Sequence, residues 1–253
     1  MYAEERQQAI AEQVVRQGRV SVTGLAETYE VTTETVRRDL STLERAGLLR
    51  RVHGGAVPLR AVTESGLSER DESNADVKER IARAAAGLLP PVQATLALDA
   101  GSTVGRLAAH LPRDRRLTVF THALPVASRL VAQSHVELHL LPGRVRATTV
   151  AAVGTETVAA LQGLRVDLAF VGTNGITVGH GLSTPDVEEA GTKRALVGCA
   201  RQVVVLADAD KVGQEHVVRF AELGVVDTLV TDDRVADSDV SSFEAVGIEV
   251  VVA

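Results

Sequence analysis

The sequence predicts an α/β protein with two domains: a small N-terminal unit of three helices and a β-hairpin, and a larger C-terminal unit built on a mainly parallel sheet. Two observations lead to this prediction. Residues 1–58 contain three helical patterns followed by two short apolar segments around a glycine turn. From about residue 74 onwards, apolar strand-like runs alternate with helical patterns, which is typical of a parallel sheet covered on both faces.

Composition limits the class of protein. A hydrophobic fraction of 45% and a charged fraction of 24% are ordinary for a globular protein that buries a core. The first residues, MYAEERQQ, do not resemble a signal peptide, and no apolar run approaches the length of a membrane span. The single cysteine, Cys199, excludes an internal disulfide and suits a reducing compartment. We therefore expect a soluble, cytoplasmic protein with no membrane partner.

Two helical patterns come first. One runs from about residue 4 to 17, with Ile10 and Val14 on one face and Gly18 as its end. The next begins after Ser21, a residue type that commonly caps helices. Together they predict a short pair of helices ahead of the third.

The third helical pattern begins in VTTETVRRDL, residues 31–40. Thr32 is placed to cap it, and Val36, Leu40 and Leu43 recur with helical spacing as its buried face. The outward faces then carry short polar residues at the start of the helix and arginines one turn later. This arrangement suits a helix whose N-terminal half enters the major groove of DNA.

Arginine is concentrated here although the protein is acidic overall, with a formal net charge of -6. Residues 37–51 contain five arginines against two acidic residues, Asp39 and Glu44. A positive patch on an acidic protein suggests contact with a polyanion. On charge alone, a solvent-exposed helix face explains the arginines equally well.

A hairpin pattern follows the third helix. The stretch LLRRVHGGAV places two apolar segments around His53-Gly54-Gly55, a turn in which glycine accepts positive φ freely. The hairpin would leave Arg50, Arg51 and His53 available to phosphates. Three helices and a basic hairpin together make a winged helix-turn-helix.

Four motifs lie in the first sixty residues: Gly18-Arg19-Val20-Ser21, Leu25-Ala26, Thr35-Val36-Arg37-Arg38-Asp39-Leu40 and Arg51-Val52-His53-Gly54-Gly55-Ala56. Together they resemble the DNA-binding module of the DeoR family of bacterial transcriptional regulators. The chain departs from that pattern at Thr32, where serine is usual, and at Gly24, where glutamate is usual. The resemblance implies binding to double-stranded operator DNA through Thr33, Thr35, Arg37, Arg38, Arg51 and His53.

Residues 59–73, LRAVTESGLSERDES, have few large apolar side chains and no sustained period, so we expect a linker there and a second domain over 74–253. Parallel sheets bind ligands at the carboxyl ends of their strands. Four such ends are polar or glycine-rich: residues 99–103, 172–175, 186–194 and 208–213. The first, DAGST, places glycine and two hydroxyls at the start of a helix and suits a phosphate, although an ordinary strand-to-helix turn has the same appearance.

Neither a cofactor nor a metal is indicated. The stretch Gly172-Thr173-Asn174-Gly175 lacks the spacing of a dinucleotide fingerprint, so we expect no nicotinamide cofactor. His53, His122 and His180 are spread along the chain without ligand spacing, so we expect no metal site.

The lysines draw attention to the same loops. Of 27 basic residues only Lys78, Lys193 and Lys211 are lysine, and the last two lie at the predicted strand ends. A compact ammonium makes a point contact with a phosphate or hydroxyl where a guanidinium does not fit. With only three lysines in the chain, chance is the alternative explanation for the position of two of them at strand ends.

Further motifs occur in the second domain: Lys78-Glu79-Arg80-Ile81-Ala82, Asp99-Ala100-Gly101-Ser102-Thr103, Gly172-Thr173-Asn174-Gly175, Thr192-Lys193-Arg194 and Ala207-Asp208-Ala209-Asp210-Lys211-Val212-Gly213. They resemble the DeoR-type sensor domain, a Rossmann-like sheet similar to ribose-phosphate isomerase, glucosamine-phosphate deaminase and the CoA transferases. Departures occur at His122 and Pro142. The resemblance implies that a phosphorylated sugar is held by Asp99, Gly101, Ser102, Thr103, Thr121, Gly172, Asn174, Gly175, Glu188, Lys193 and Lys211.

The stretch GTNGITVGHGLSTPDVEEAGTKRALV most resembles DeoR-type regulators of fructose-uptake operons. The resemblance implies a repressor of a fructose operon with fructose 1-phosphate as its effector, while similar regulators respond to other sugar phosphates. We also expect a homo-oligomer, a dimer or higher, because a two-fold dimer matches two DNA half-sites.

An enzyme is the main alternative, because relatives of this fold catalyse isomerisation. Glu188 could act as a base, and Lys193 or Lys211 could steady an enediolate. A salt-bridged helix face fits the residues around Glu188 equally well. Fold alone does not decide function, but a winged helix favours a regulator over a catalyst.

Overall fold

A computed structural model describes residues 3–46, 48–52, 54–58 and 66–253 of the chain. The chain divides into two compact units, residues 1–64 and 65–253. Residues 59–65 of the expected linker, and His53 of the predicted DNA contacts, lie outside the described residues.

The first unit is a winged helix-turn-helix, as the sequence predicts. Its elements are α1 (Ala3–Gln17), β1 (Val20–Ser21), α2 (Val22–Thr28), α3 (Thr33–Arg45), β2 (Leu49–Val52) and β3 (Gly55–Pro58). The three strands form an antiparallel sheet in the order β1-β3-β2. Gly55 is required by this close pairing, because a Cβ there would lie 1.9 Å from the carbonyl oxygen of Val20.

The helices of this unit begin at side-chain caps and pack around one small core. Ser21 Oγ accepts a hydrogen bond from Gly24 N at 3.0 Å, and Thr32 Oγ1 accepts one from Thr35 N at 3.2 Å. The apolar faces of the three helices meet the start of β2 in a cluster that includes Ile10, Val14, Leu25, Val36, Leu40, Leu43 and Leu49.

The second unit begins with two helices, α4 (Leu67–Glu72) and α5 (Ala75–Ala86). The sequence predicts a linker over 59–73, but the described part of that range contains α4. None of the six α4 residues is buried, so the helix leaves no apolar repeat in the sequence to reveal it.

Helices and strands alternate through the rest of the chain. The remaining helices are α6 (Ser102–Leu107), α7 (Leu124–Leu130), α8 (Thr155–Gln162), α9 (Val187–Gly198) and α10 (Asp237–Glu244). The strands are β4 (Ala94–Leu98), β5 (Leu117–Thr121), β6 (Val136–Leu140), β7 (Arg144–Arg146), β8 (Ala151–Val153), β9 (Val166–Gly172), β10 (Gly175–Thr177), β11 (Gly181–Thr184), β12 (Ala200–Leu206), β13 (Val218–Ala221), β14 (Thr228–Thr231) and β15 (Glu249–Val252).

Seven strands form one parallel sheet in the order β15-β14-β12-β9-β4-β5-β6. Alternate residues of β9 enter different cores: Ala169 and Val171 join one hydrophobic cluster, and Leu168 and Phe170 join the other. The sheet is therefore covered on both faces, which confirms the mainly parallel fold predicted from the sequence.

Two small antiparallel sheets were not predicted. β7 pairs with β8, and β10, β11 and β13 form a three-stranded sheet in that order. Each of these strands has three or four residues, too few for a sequence period to stand out.

In the described part of the chain, no helix combines the length and apolar character needed to span a bilayer.

Candidate functional site

The exposed face of α3 carries most of the predicted DNA contacts. Thr33, Arg37 and Arg38 are exposed, while Val36 and Leu40 face the core. Thr35 is only partly exposed, and its hydroxyl lies 2.9 Å from that of the capping Thr32. The start of α3 therefore presents one free threonine and two arginines to solvent.

Both arginines lie near one carboxylate. Glu34 is 3.7 Å from Arg37 Nη1 and 3.9 Å from Arg38 Nε, and all three side chains are more than half exposed. Pairs of this kind contribute little free energy and are readily exchanged for other partners. The arginines can therefore leave Glu34 for a phosphate or a base edge.

Asp39 has a different role from the one suggested by charge counting. In the sequence it offsets the arginines of the patch, but in the structure its carboxylate is buried. It accepts hydrogen bonds from Arg6 Nε at 2.7 Å and from Gln7 Nε2 at 2.8 Å. Asp39 thus joins α3 to α1, and its charge is matched within the fold.

The wing is fastened to α3 by Arg51. Its Nη1 donates to Ser41 Oγ at 2.6 Å, and its backbone N–H donates to Glu44 Oε1 at 2.8 Å. The Arg51 side chain remains exposed. His53, which the sequence predicts as a further contact of the wing, lies outside the described residues.

A pocket lies in the second unit at the carboxyl ends of β4, β9 and β12, where the sequence predicts it. Its lining consists of Arg70, Lys78, Ala100, Gly101, Ser102, Thr103, Val104, Thr149, Gly172, Thr173, Asn174, Glu189, Lys193, Leu206, Ala207, Asp208 and Lys211. Seven of the predicted ligand residues are in this lining: Gly101, Ser102, Thr103, Gly172, Asn174, Lys193 and Lys211.

Two predicted residues serve the fold behind the pocket. The hydroxyl of Thr121 is buried, donates to the Leu98 carbonyl at 2.8 Å and accepts from Ala123 N at 3.1 Å. Gly175 lies in β10, where a Cβ would come within 2.4 Å of the Gln214 carbonyl oxygen. Neither residue is in the pocket lining.

The predicted acid of α9 is one residue away from the acid that lines the pocket. Glu188 is half exposed, is ion-paired with Arg144 and does not line the pocket. Glu189 does line it, is buried, and lies one turn before Lys193. A sequence that places two glutamates side by side does not say which of them faces inward.

A buried charge network lies beneath the pocket floor. The Asp99 carboxylate accepts hydrogen bonds from Lys193 Nζ and from Gly172 N at 2.9 Å, and it lies 3.1 Å from His122 Nε2. Lys193 Nζ also donates to the Gly172 carbonyl at 2.9 Å and lies 3.6 Å from Glu189 Oε1. Asp99, although it is not in the lining, therefore positions two residues that are.

These contacts fix the protonation of both partners. Burial acts to raise the pKa of Asp99, but the charge of Lys193 and the hydrogen bond with His122 outweigh it and lower that pKa to about 2. Burial acts to lower the pKa of Lys193, but Asp99 and Glu189 outweigh it and raise that pKa. At neutral pH, Lys193 is therefore an ammonium whose charge is already compensated.

All three lysines of the chain line the pocket. Lys78, on α5, is buried, and its ammonium donates to the carbonyls of Arg70 and, at 2.6 Å, Ser73. Burial is the main cause that lowers its pKa. Lys211 ends a short 3₁₀ turn after β12, and its ammonium forms no hydrogen bond or ion pair with any residue that the structure describes. Sequence reasoning missed Lys78 as a pocket residue, although its rarity was the available signal.

Some buried polar atoms of the pocket lack a hydrogen-bond partner within the described chain, among them the hydroxyl of Thr149 and Oδ1 of Asp208. Burial raises the pKa of Asp208, an effect that Lys211 and Lys78 partly offset. Because buried polar atoms are nearly always hydrogen-bonded, these two atoms are available to bind a polar ligand or an ordered water.

Gly101 lies in the turn between β4 and α6 that lines the pocket. Its φ of +125° is a conformation that side chains rarely adopt, and a Cβ there would meet nothing within 4 Å. Conformation rather than space therefore requires glycine between the buried Asp99 and the hydroxyls of Ser102 and Thr103.

Family models match both units. The DeoR-like helix-turn-helix domain matches residues 6–61, and the DeoR C terminal sensor domain matches residues 73–233. A solved ribose 5-phosphate isomerase A from Methanocaldococcus jannaschii covers 55% of this chain and 55% of its own, with a TM-score of 0.41 and 19% identity, which is a distant likeness of fold.

Curated relatives align over nearly the whole chain. The chain is 34% identical over 252 residues to the HTH-type transcriptional regulator GlpR of Haloferax volcanii, covering 99% of this chain and 98% of that protein. It is 34% identical over 233 residues to a protein named as the uncharacterized HTH-type transcriptional regulator FruR of Bacillus subtilis, covering 92% of each. It is 32% identical over 228 residues to the glycerol-3-phosphate regulon repressor of Escherichia coli, covering 90% of each.

These relatives are named as transcriptional regulators or repressors, which confirms the prediction of a regulator over that of an enzyme. The winged helix of the first unit agrees with that assignment. The chain belongs to the DeoR family of DNA-binding transcriptional regulators.

Proposed function

We propose that this protein represses an operon for the uptake and catabolism of a sugar, and that a phosphorylated sugar in the strand-end pocket releases it from its operator. The observation that carries the proposal is the pair of buried, unpartnered atoms, Thr149 Oγ1 and Asp208 Oδ1, in a pocket that also contains all three lysines. Such a pocket offers a site for an anion beside a site for hydroxyl groups.

The phosphate would be held by the cationic residues of the pocket. Lys78, Lys211 and Arg70 line the pocket, and so does Ser102. Lys193 is the poorer candidate, because Asp99 and Glu189 already compensate its charge. A phosphate dianion forms short, charge-assisted hydrogen bonds with ammonium and guanidinium groups, and these are stronger than bonds between neutral groups.

The hydroxyl groups of the sugar would be held by the other polar residues of the lining. Asp208 Oδ1 is a free acceptor, Thr149 offers a hydroxyl, and Asn174 and Glu189 are also in the lining. A site built to hydrogen-bond hydroxyls rejects ligands that lack them, because its buried polar atoms then stay unpaired. The combination favours a sugar phosphate over inorganic phosphate.

On the DNA side, Arg37 and Arg38 would reach base edges from α3, and Arg51 would contact the phosphate backbone from the wing. Their exposure and their weak pairing with Glu34 support this assignment. A homodimer or higher oligomer would present two such helices to two half-sites.

We infer fructose 1-phosphate as the effector from the likeness of residues 172–197 to regulators of fructose-uptake operons. A relative named as a glycerol-3-phosphate regulon repressor supports a phosphorylated carbohydrate as the class of effector, and it leaves other phosphorylated sugars as the alternative. The choice among them is a matter for direct measurement.

The experiment is a thermal-shift screen beside an operator-shift assay, using DNA selected by the protein from a random library. Fructose 1-phosphate, fructose 6-phosphate, glucose 6-phosphate and glycerol 3-phosphate would be compared with fructose and with inorganic phosphate. A ligand at 100 times its dissociation constant stabilises the folded state by about 2.7 kcal/mol. We expect fructose 1-phosphate to stabilise the protein and to release the DNA. Release by another sugar phosphate would identify that compound as the effector in place of fructose 1-phosphate. Release by none of them would refute the proposal that a sugar phosphate controls operator binding.

A further inference from the structure

The helix α4 is held in place largely by polar contacts. It is the first element that the structure describes after the DNA-binding unit, and residues 59–65 precede it in the chain. None of its residues is fully buried, and its one large apolar side chain, Leu67, is only partly buried. An element with so little apolar burial depends mainly on hydrogen bonds and charges for its position, so a bound anion nearby can change how firmly it is held.

Contacts hold α4 at both ends. At its start, Leu67 N donates to the Thr148 carbonyl at 3.0 Å. At its end, the ammonium of Lys78 donates to the carbonyls of Arg70 and Ser73. In addition, Arg106 Nη2 donates to the Asp71 carbonyl at 2.8 Å and lies 3.1 Å from the carboxylate of the same residue.

These anchors are also parts of the pocket. Lys78 lines it, and so does Arg70, which belongs to α4 itself. Thr149, which lines the pocket and whose hydroxyl has no partner in the described chain, directly follows Thr148, whose carbonyl holds the start of the helix. The pocket and the two ends of α4 therefore share the same short segments.

The turn that carries Thr148 and Thr149 is strained. The next residue, Val150, has a φ of +52°. A β-branched side chain rarely takes this conformation, and such strain is kept only where the surrounding structure enforces it. It is consistent with a segment that a ligand can shift.

Lys78 is suited to join effector and helix because an ammonium has three donors. Two are used by the carbonyls of Arg70, in α4, and Ser73, which follows it, and Nζ forms no third hydrogen bond with any residue in the described ranges. An anion in the pocket can take the third donor without displacing the other two. It would also stabilise a buried charge, since burial acts to lower the pKa of Lys78.

We propose that Lys78 is a positioning residue that couples the pocket to the DNA-binding unit, holding the end of α4 with two N–H groups and the anionic group of the effector with the third. This inference rests on the proposed function. Effector binding favours the arrangement in which α4 is held, and operator binding favours the arrangement in which it is released. The helix is thus the two-state element that both ligands bias.

The sharpest test leaves the pocket lining unchanged. Leu67→Pro removes the N–H that binds the Thr148 carbonyl, and proline is tolerated at the first position of a helix. Leu67→Ala removes the same side chain but keeps the N–H, so it is the matched control. With saturating fructose 1-phosphate, and in parallel with saturating glucose 6-phosphate and glycerol 3-phosphate, we expect the fold-loss of operator affinity in Leu67→Pro to be at least roughly fivefold smaller than in the control.

A second pair of variants tests the lysine. Lys78→Met should diminish release even when the sugar phosphate is saturating, whereas Lys211→Met should need more sugar phosphate but reach the wild-type release. Hydrogen exchange is measured without any effector, so this part of the test does not depend on the ligand. Lys78→Met should speed exchange of the amides of residues 67–74, and Lys211→Met should not. Wild-type release at saturation in both Leu67→Pro and Lys78→Met, or unchanged exchange in Lys78→Met, would overturn the coupling. A wild-type protein that no sugar phosphate releases would instead refute the proposed function.

Discussion

The carboxylate of Asp39 accepts a hydrogen bond of 2.7 Å from Arg6 Nε, and this buried contact ties α3 to α1. Asp39 directly follows the two exposed arginines of α3, so one motif supplies both the proposed DNA contacts and the attachment of the helix that presents them. The orientation of Arg37 and Arg38 depends on that attachment.

Replacing Asp39 with alanine should destabilise the DNA-binding unit. Removing one partner of a buried ion pair leaves the other charge uncompensated, which costs about 3–5 kcal/mol. We expect faster hydrogen exchange in α1 and α3 of the full-length chain and loss of operator binding. Glu34→Ala, which removes an exposed acid from the same helix, is the control and should leave exchange unchanged. Equal exchange in the two variants would show that the Arg6–Asp39 pair is dispensable.

Arg38→Ala should weaken operator binding and relax base preference at one position of the site. A side chain that reads a base edge contributes about 1–3 kcal/mol of discrimination. The measurement is the affinity for the selected operator and for operators with single substitutions. The second unit should stay folded and keep its response to ligand. An unchanged operator affinity would remove α3 from the role of recognition helix.

Arg51→Ala should lower affinity for every DNA sequence alike. A lost phosphate contact lowers the slope of log affinity against log salt by about 1 without changing base preference. Because Arg51 also donates to Ser41, Ser41→Ala is the control for loosening of the wing alone. A change of sequence preference in Arg51→Ala, or an unaltered salt slope, would contradict a backbone contact.

The charge network under the pocket predicts a dependence of stability on pH. The pKa of Asp99 in the folded protein, about 2, lies below the value of an unfolded aspartate. Its contribution is therefore fully present above about pH 4 and is lost as the pH falls towards 2; the shift corresponds to about 2 kcal/mol. Urea unfolding should show Asp99→Asn to be less stable than wild type at pH 7, with a smaller difference at pH 3. Exposed Asp114→Asn is the control, and a constant difference across that range would refute the assignment.

The sequence located the pocket through strand ends and glycines, because these features follow from chain topology. It did not identify Glu189, since a buried polar face of α9 gives no apolar repeat to set the phase of the helix. It also missed Lys78 and Thr149, which reach the pocket from α5 and from the turn between β7 and β8 rather than from a strand end. Only the tertiary packing brings these segments together.

The proposed contact between Lys211 and the anion gives the last prediction. Its ammonium lines the pocket and, within the part of the chain that the structure describes, has no hydrogen bond or ion pair to compete with a phosphate. Replacing it with alanine removes one charge-assisted hydrogen bond, which contributes about 1.5–3 kcal/mol, so the concentration of fructose 1-phosphate needed for release should rise about 10- to 150-fold.

Operator binding of Lys211→Ala in the absence of effector should equal that of wild type, because Lys211 belongs to the sensor unit and holds neither α3 nor α4. Lys193→Ala provides the contrast: it leaves Asp99 buried without its main partner, so it should destabilise the second unit itself. Two measurements therefore distinguish the roles of these lysines. A release curve tests the ligand contact of Lys211, and an unfolding curve tests the stabilising role of Lys193. If Lys211→Ala releases DNA at the wild-type concentration of fructose 1-phosphate, the phosphate is held by other groups and the assignment of Lys211 is wrong.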